Sequence, residues 1–90
     1  MITCTAERSA ALVDVHLGRV VFHNGIRSSA IGYARRGFLK MSAEWNRALH
    51  ELWLVDAIDI DGALLDLNGQ EVSLTNRGLL LLEKWDAGDP

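Results

Sequence analysis

The chain has 90 residues, 49% of them apolar, with three Trp, one Cys, one Pro and a net charge of −3. That is enough chain for one domain, expected over residues 1–90, with a modest core, and it is too apolar for a disordered segment. It excludes an internal disulfide and has no apolar run near the ~20 residues that cross a bilayer; the first twenty residues lack the continuous apolar stretch of a signal peptide, so a cytoplasmic location is expected.

A first helix is expected over about Cys4 to Leu17. Thr3 or Thr5 can cap it, because a side-chain oxygen there accepts from the free amides of the first turn. Glu7 suits the positive end of the helix dipole. Ala6, Ala10, Val13 and Leu17 share one face, with Leu12 and His16 at its edge. Gly18 is a stop signal. Arg19-Val-Val-Phe-His23 then reads as a short strand, and Asn24-Gly25 as a turn.

Ser28 or Ser29 is expected to cap a second helix through Ala30, Ile31, Tyr33 and Ala34 toward Arg36. Gly32 and Gly37 each weaken it by about 1 kcal/mol relative to Ala. A third helix begins after Ser42. Its spacing turns Trp45, Ala48, Leu49 and Leu52 inward and Asn46, Arg47, His50 and Glu51 outward. Val55 to Asp61 reads as a strand in which Ile58 and Ile60 alternate with Asp59 and Asp61. Leu64–Leu67 and Gln70–Leu74 flank Asn68-Gly69, a hairpin signal because both turn residues need positive φ. Thr75 caps a last helix whose stripe is Leu79, Leu82 and Trp85, broadened by Leu80 and Leu81.

Charge is distributed unevenly. Residues 1–50 hold seven Lys/Arg and three Asp/Glu, a balance of +4, whereas residues 51–90 hold two and nine, a balance of −7. Between Arg19 and Arg47 there are six basic residues and one acid, Glu44. A positive half beside a negative half can attract phosphates on one side only.

Other chemistries find little support. His16, His23 and His50 are too widely spaced for a metal pair, and no Cys-x-x-Cys occurs. Asp59-x-Asp61-Gly62 fails as a calcium loop, because aligning Gly62 to the loop glycine puts Ala57 at the first ligand and Asn68 at the bidentate glutamate. There is no phosphate loop and no nucleophile elbow, and Cys4 reads as a passive thiol. No enzyme, metal or cofactor is expected.

The order helix, strand, helix, helix, hairpin, helix resembles a winged helix-turn-helix DNA-binding domain, of the kind found in actinobacteria and their phages. Leu49-x-x-x-Trp53-Leu-Val is similar to the end of that family's recognition helix, usually Leu-x-x-x-Gly-Leu-Val. Val72-x-Leu-Thr-x-x-Gly78-x-x-Leu-Leu is similar to the step from wing to closing helix. Thr3-x-x-x-Glu7-Arg-x-x-Ala-Leu12 followed by Gly18-Arg-Val20 is similar to the opening of its small members. The resemblance implies an α+β winged helix-turn-helix with three helices, a β-hairpin wing and a C-terminal helix. Trp53 stands where the family has a glycine, a position that favours positive φ.

The resemblance further implies a sequence-specific duplex-DNA-binding protein, a small transcriptional regulator or a phage-type repressor or excision factor. The third helix would enter the major groove. Asn46, Arg47 and His50 would contact bases, and Arg27, Arg35, Arg36 and Lys40 would contact phosphates. A homodimer is expected, with Leu79, Leu80, Leu81 and Trp85 at its interface or at that with a partner. The alternative is a winged-helix module that binds a host or partner protein and not DNA. The acidic second half, and a wing carrying Asp66 and Glu71 without a cation at its tip, point that way.

Overall fold

The computed structural model describes residues 2–24, 31–35, 39–60 and 70–88. In chain order the elements are α1 (Ala6–His16), β1 (Val20–Asn24), β2 (Ile31–Arg35), β3 (Leu39–Lys40), α2 (Ala43–Leu54), β4 (Ile58–Ile60), β5 (Gln70–Leu74) and α3 (Asn76–Asp86). The result is an α+β domain of three helices and an antiparallel sheet with strand order β3-β2-β1-β5-β4. The Asn24-Gly25 and Asn68-Gly69 turns, and the strand expected at Leu64–Leu67, lie outside the described residues.

The three helices start and stop by common chemistry. Thr5, Ser42 and Thr75 each place a side-chain oxygen against the amide three residues on, those of Arg8, Trp45 and Gly78, at 3.2, 3.2 and 3.1 Å. Each supplies an acceptor to an amide that has no partner within the helix. Each helix is then followed by a left-handed residue: Gly18 at φ 71°, Asp56 at φ 62° and Gly88 at φ 89°. After α2 the Ala57 amide donates to Leu52 O at 2.9 Å and the Asp56 amide to Trp53 O at 3.0 Å, the paired bonds that close a Schellman turn. Trp53 therefore stays inside the helix, and the backbone conformation expected there falls on Asp56, three residues later.

Asp56 occupies a position where the other two helices use glycine. A side chain in that region costs about 1–2 kcal/mol, less for Asp than for most residues, while glycine loses about 0.5–1 kcal/mol more entropy on folding. Asp56→Gly should therefore stabilise the chain by about 0.5 kcal/mol, and Asp56→Ala should destabilise it. Urea midpoints of the two variants would check this opposite pair of signs.

The second helix is absent: residues 31–35 form β2, paired to β1 with Phe22 opposite Tyr33 and His23 opposite Gly32. The rings of Phe22 and Tyr33 meet edge to face at 5.0 Å. Gly32 sits at φ 123°, a conformation that L side chains rarely adopt, and a Cβ there would lie 3.1 Å from Asn46 Oδ1. The glycine that weakened a helix marks a close approach of strand and helix. Without this helix there is no helix-turn-helix among the described residues.

The core lies between the helices and the sheet, centred on Leu12, Val20, Leu49, Leu52, Ile58 and Val72. The inward face of α2 is the expected one. That of α1 is not: Ala11, Leu12, Asp14 and Val15 are buried, whereas Ala6, Ala10, Val13 and Leu17 face out. The rotation buries a carboxylate, which the fold satisfies. Asp14 Oδ2 accepts the Trp45 indole N–H at 3.1 Å. Trp85 is likewise a core residue, 7% exposed, and not an interface residue. Leu81 is half-buried against the core, leaving Leu79 and Leu80 exposed.

Candidate nucleic-acid interface

Strand order sorts the charge. Residues 31–40 contain Arg35, Arg36 and Lys40 and no acid. Arg35 lies in β2 and Lys40 in β3, at one edge of the sheet, with Arg35 opposite Leu39 and Ala34 opposite Lys40. Asp59 lies in β4, at the other edge, and Glu71 in the neighbouring β5. Four inter-strand spacings separate β3 from β4, roughly 19 Å at about 4.8 Å each. That is about twice the screening length at physiological salt. Asp59, the one acid of β4, therefore subtracts little from the field at the β2–β3 edge, whereas Glu71, opposite Val21, stands two spacings from β2. Arg36 and Arg27, two of the four expected phosphate contacts, lie outside the described residues.

The helix next to that edge is α2. Its amino-terminal part is fixed to β2 by Asn46, whose Oδ1 accepts the Tyr33 amide at 2.8 Å. Asn46 Nδ2 donates to Ser42 O at 3.1 Å and to Met41 O at 3.4 Å. The Asn46 carboxamide thus substitutes for a strand partner beside the two-residue β3, and its expected outward orientation and base contact are corrected to a tether. Burial raises the Tyr33 phenol above its ordinary pKa.

Arg47 and His50 are exposed, as their spacing implies. His50 stacks on Trp53 with ring centroids 6.1 Å apart and planes at 25°. Glu51, expected to be solvated, is half-buried and takes the Arg8 guanidinium at 2.6 Å, tying α2 to α1 across 43 residues of chain. The Arg8 hydrogen bond holds the Glu51 carboxyl below its ordinary value, with Arg47 and His50 adding to the field. A lowered folded-state pKa means that the pair contributes stability above the ordinary glutamate value of 4.5, and that this is lost as pH falls through the folded-state value. The stability difference between the wild type and Glu51→Gln should therefore shrink as urea unfolding is repeated below pH 4.5. A difference that stays constant into acid would contradict the assignment.

Periodicity did not single out the end of α2 as a surface. Trp53, Leu54 and Val55 are 47%, 65% and 36% exposed. They follow Leu52 in an unbroken apolar run, which reads as helix running into a buried strand; only the left-handed turn at Asp56 ends it.

Among the described residues no group of three or more His, Cys, Asp and Glu is placed to hold a metal ion. None of the described helices is long and apolar enough to cross a membrane. No family model matches the chain, and neither does any curated protein or solved structure compared with it.

Proposed function

We propose that the chain is a small duplex-DNA-binding protein, a regulator or a repressor-like factor, built as a variant winged helix. In this reading a β-hairpin takes the place of the second helix. The order of α1, β1, α2, the β4 and β5 strands and α3 supports the reading. The observation that carries it is the segregation of charge across the sheet, with the cations of β2 and β3 at the edge farthest from β4. Arg35, Arg36 and Lys40 would neutralise phosphates, and α2 would offer Arg47 and His50 to base edges in the major groove. The Asn46 tether to Tyr33 would hold α2 in register with the basic strands, the role a positioning helix would otherwise fill.

The test is a titration of a labelled duplex at several salt concentrations. Each neutralised phosphate contributes about −0.9 to the slope of log K against log salt. Alanine at Arg35, Arg36 and Lys40 together should flatten the slope by about 2.7. Arg47→Ala should also reduce discrimination between duplex sequences, by about 1–3 kcal/mol at the base pair it reads. Undetectable binding at low salt would remove the reading.

A second reading, a protein-binding module without DNA contact, is favoured by one observation. The end of α2 exposes a tryptophan and two aliphatic side chains, and Trp is enriched among residues that dominate protein interfaces.

A further inference from the structure

We propose that the carboxyl-terminal end of α2 docks a cationic, amphipathic segment of a partner protein. Trp53, Leu54 and Val55 are exposed there in sequence. The turn that follows is clamped to the start of α3. Thr75 Oγ1 donates to Asp56 O at 2.5 Å, the Thr75 amide donates to Ala57 O at 3.1 Å, and Gly78 packs on Ala57. The helix end that carries these side chains is therefore braced by the turn after it, and loses little conformational freedom when covered.

Charge selects the occupant. Residues 48–76 contain no Lys or Arg and six Asp or Glu. Of these, Asp56 follows Val55 directly, Asp59 is exposed on β4, and Glu51 is paired with Arg8. The last turn of α2 carries no basic residue to offset the negative end of its dipole. Among the described residues the cations flanking this stretch are Arg47, two turns before Leu54, and Arg77 in the first turn of α3. Three exposed apolar side chains followed directly by Asp56, with Asp59 three residues on, fit a helix with leucines on one face and lysines or arginines at its margin. An anionic membrane or nucleic acid would meet those carboxylates. The inference does not rest on DNA binding, although that reading uses Arg47 and His50 of the same helix, the latter stacked on Trp53.

The probe is a synthetic Leu/Lys amphipathic peptide, compared with its Leu/Glu counterpart and followed by tryptophan emission. Trp45 and Trp85 are buried and give a constant background, and Trp53→Phe identifies the responding ring. Saturable, salt-weakened binding of the Leu/Lys peptide with a blue shift from Trp53 is expected, and no response to the Leu/Glu peptide. Leu54→Glu should weaken binding by about tenfold or more, although it adds a carboxylate; attraction by charge alone would grow. Leu54 is 65% exposed, so this variant should keep the fold, as circular dichroism would verify. Binding undiminished by Leu54→Glu, an equal response to both peptides, or no response to either would overturn the proposal. So would sedimentation showing self-association that Leu54→Glu abolishes, because a second copy would then be the occupant.

Discussion

Gly78→Ala is expected to cost about 3 kcal/mol, the upper end of what overpacking does, although alanine is the better helix former by about 1 kcal/mol. Gly78 is the third residue of α3. A Cβ built there would lie 2.0 Å from Ala57 O and 3.0 Å from the Ala57 carbonyl carbon. The carbonyl has no room to yield: it accepts the Thr75 amide at 3.1 Å, and the peptide before it is held by Thr75 Oγ1 on Asp56 O. Relief requires α3 to move off the α2 turn and break the bonds that join them. Gly18→Ala is the control. Its Cβ would meet nothing within 4 Å, so only its φ of 71° is penalised, at about 1 kcal/mol. Chemical denaturation should rank wild type, Gly18→Ala and Gly78→Ala in falling stability. A Gly78→Ala chain as stable as wild type would mean that the contact between α3 and the turn is wrong.

Leu49→Ala should cost about 2–5 kcal/mol. Leu49 is 0% exposed in the middle of α2, among side chains from helices and sheet that would close only partly over the space left. A 90-residue domain has about 5–13 kcal/mol of stability in total, so this one truncation removes a large share of it. Leu80→Ala deletes the same atoms from a residue that is 66% exposed and should change stability by less than about 0.5 kcal/mol. Urea unfolding of both variants separates the buried face of α2 from the exposed face of α3. Equal losses would contradict the placement of one or the other.

Local chemistry made the helix boundaries legible. Ser42 and Thr75 cap as expected and, of Thr3 and Thr5, it is Thr5, because a hydroxyl before a helix meets an unpartnered amide; Ser28 or Ser29 offers the same hydroxyl, yet residues 31–35 are strand. The inward face of α2 was legible for a similar reason, since Trp45, Ala48, Leu49 and Leu52 leave no competing stripe. In α1 two stripes compete. The buried one carries Asp14, whose hydrogen bond to Trp45, 31 residues away, has no local signature. Residues 31–35 read as helix because Ile31, Tyr33 and Ala34 fit either period; pairing with Val20–Asn24 decided for strand.

The candidate site was legible only in its charges. Which cations share an edge follows from strand order, and strand order is a non-local outcome. Spacing faces Asn46 away from the core and the resemblance implies a base contact for it, but the space outside α2 at that point is occupied by β2. Trp85 shows the converse: an apolar stripe on α3 serves a core and an interface equally well, and burial alone tells them apart. Leu79 and Leu80 are exposed, while Leu81 is half taken up by the core.

Amide hydrogen exchange with and without a short duplex tests the central claim most directly. Protection is expected over residues 31–40 and along α2 near Arg47, with β4 at Ile58–Ile60 unchanged. Protection confined to β4 and α3, or none at duplex concentrations that saturate binding, would contradict the assignment of the β2–β3 edge to phosphate.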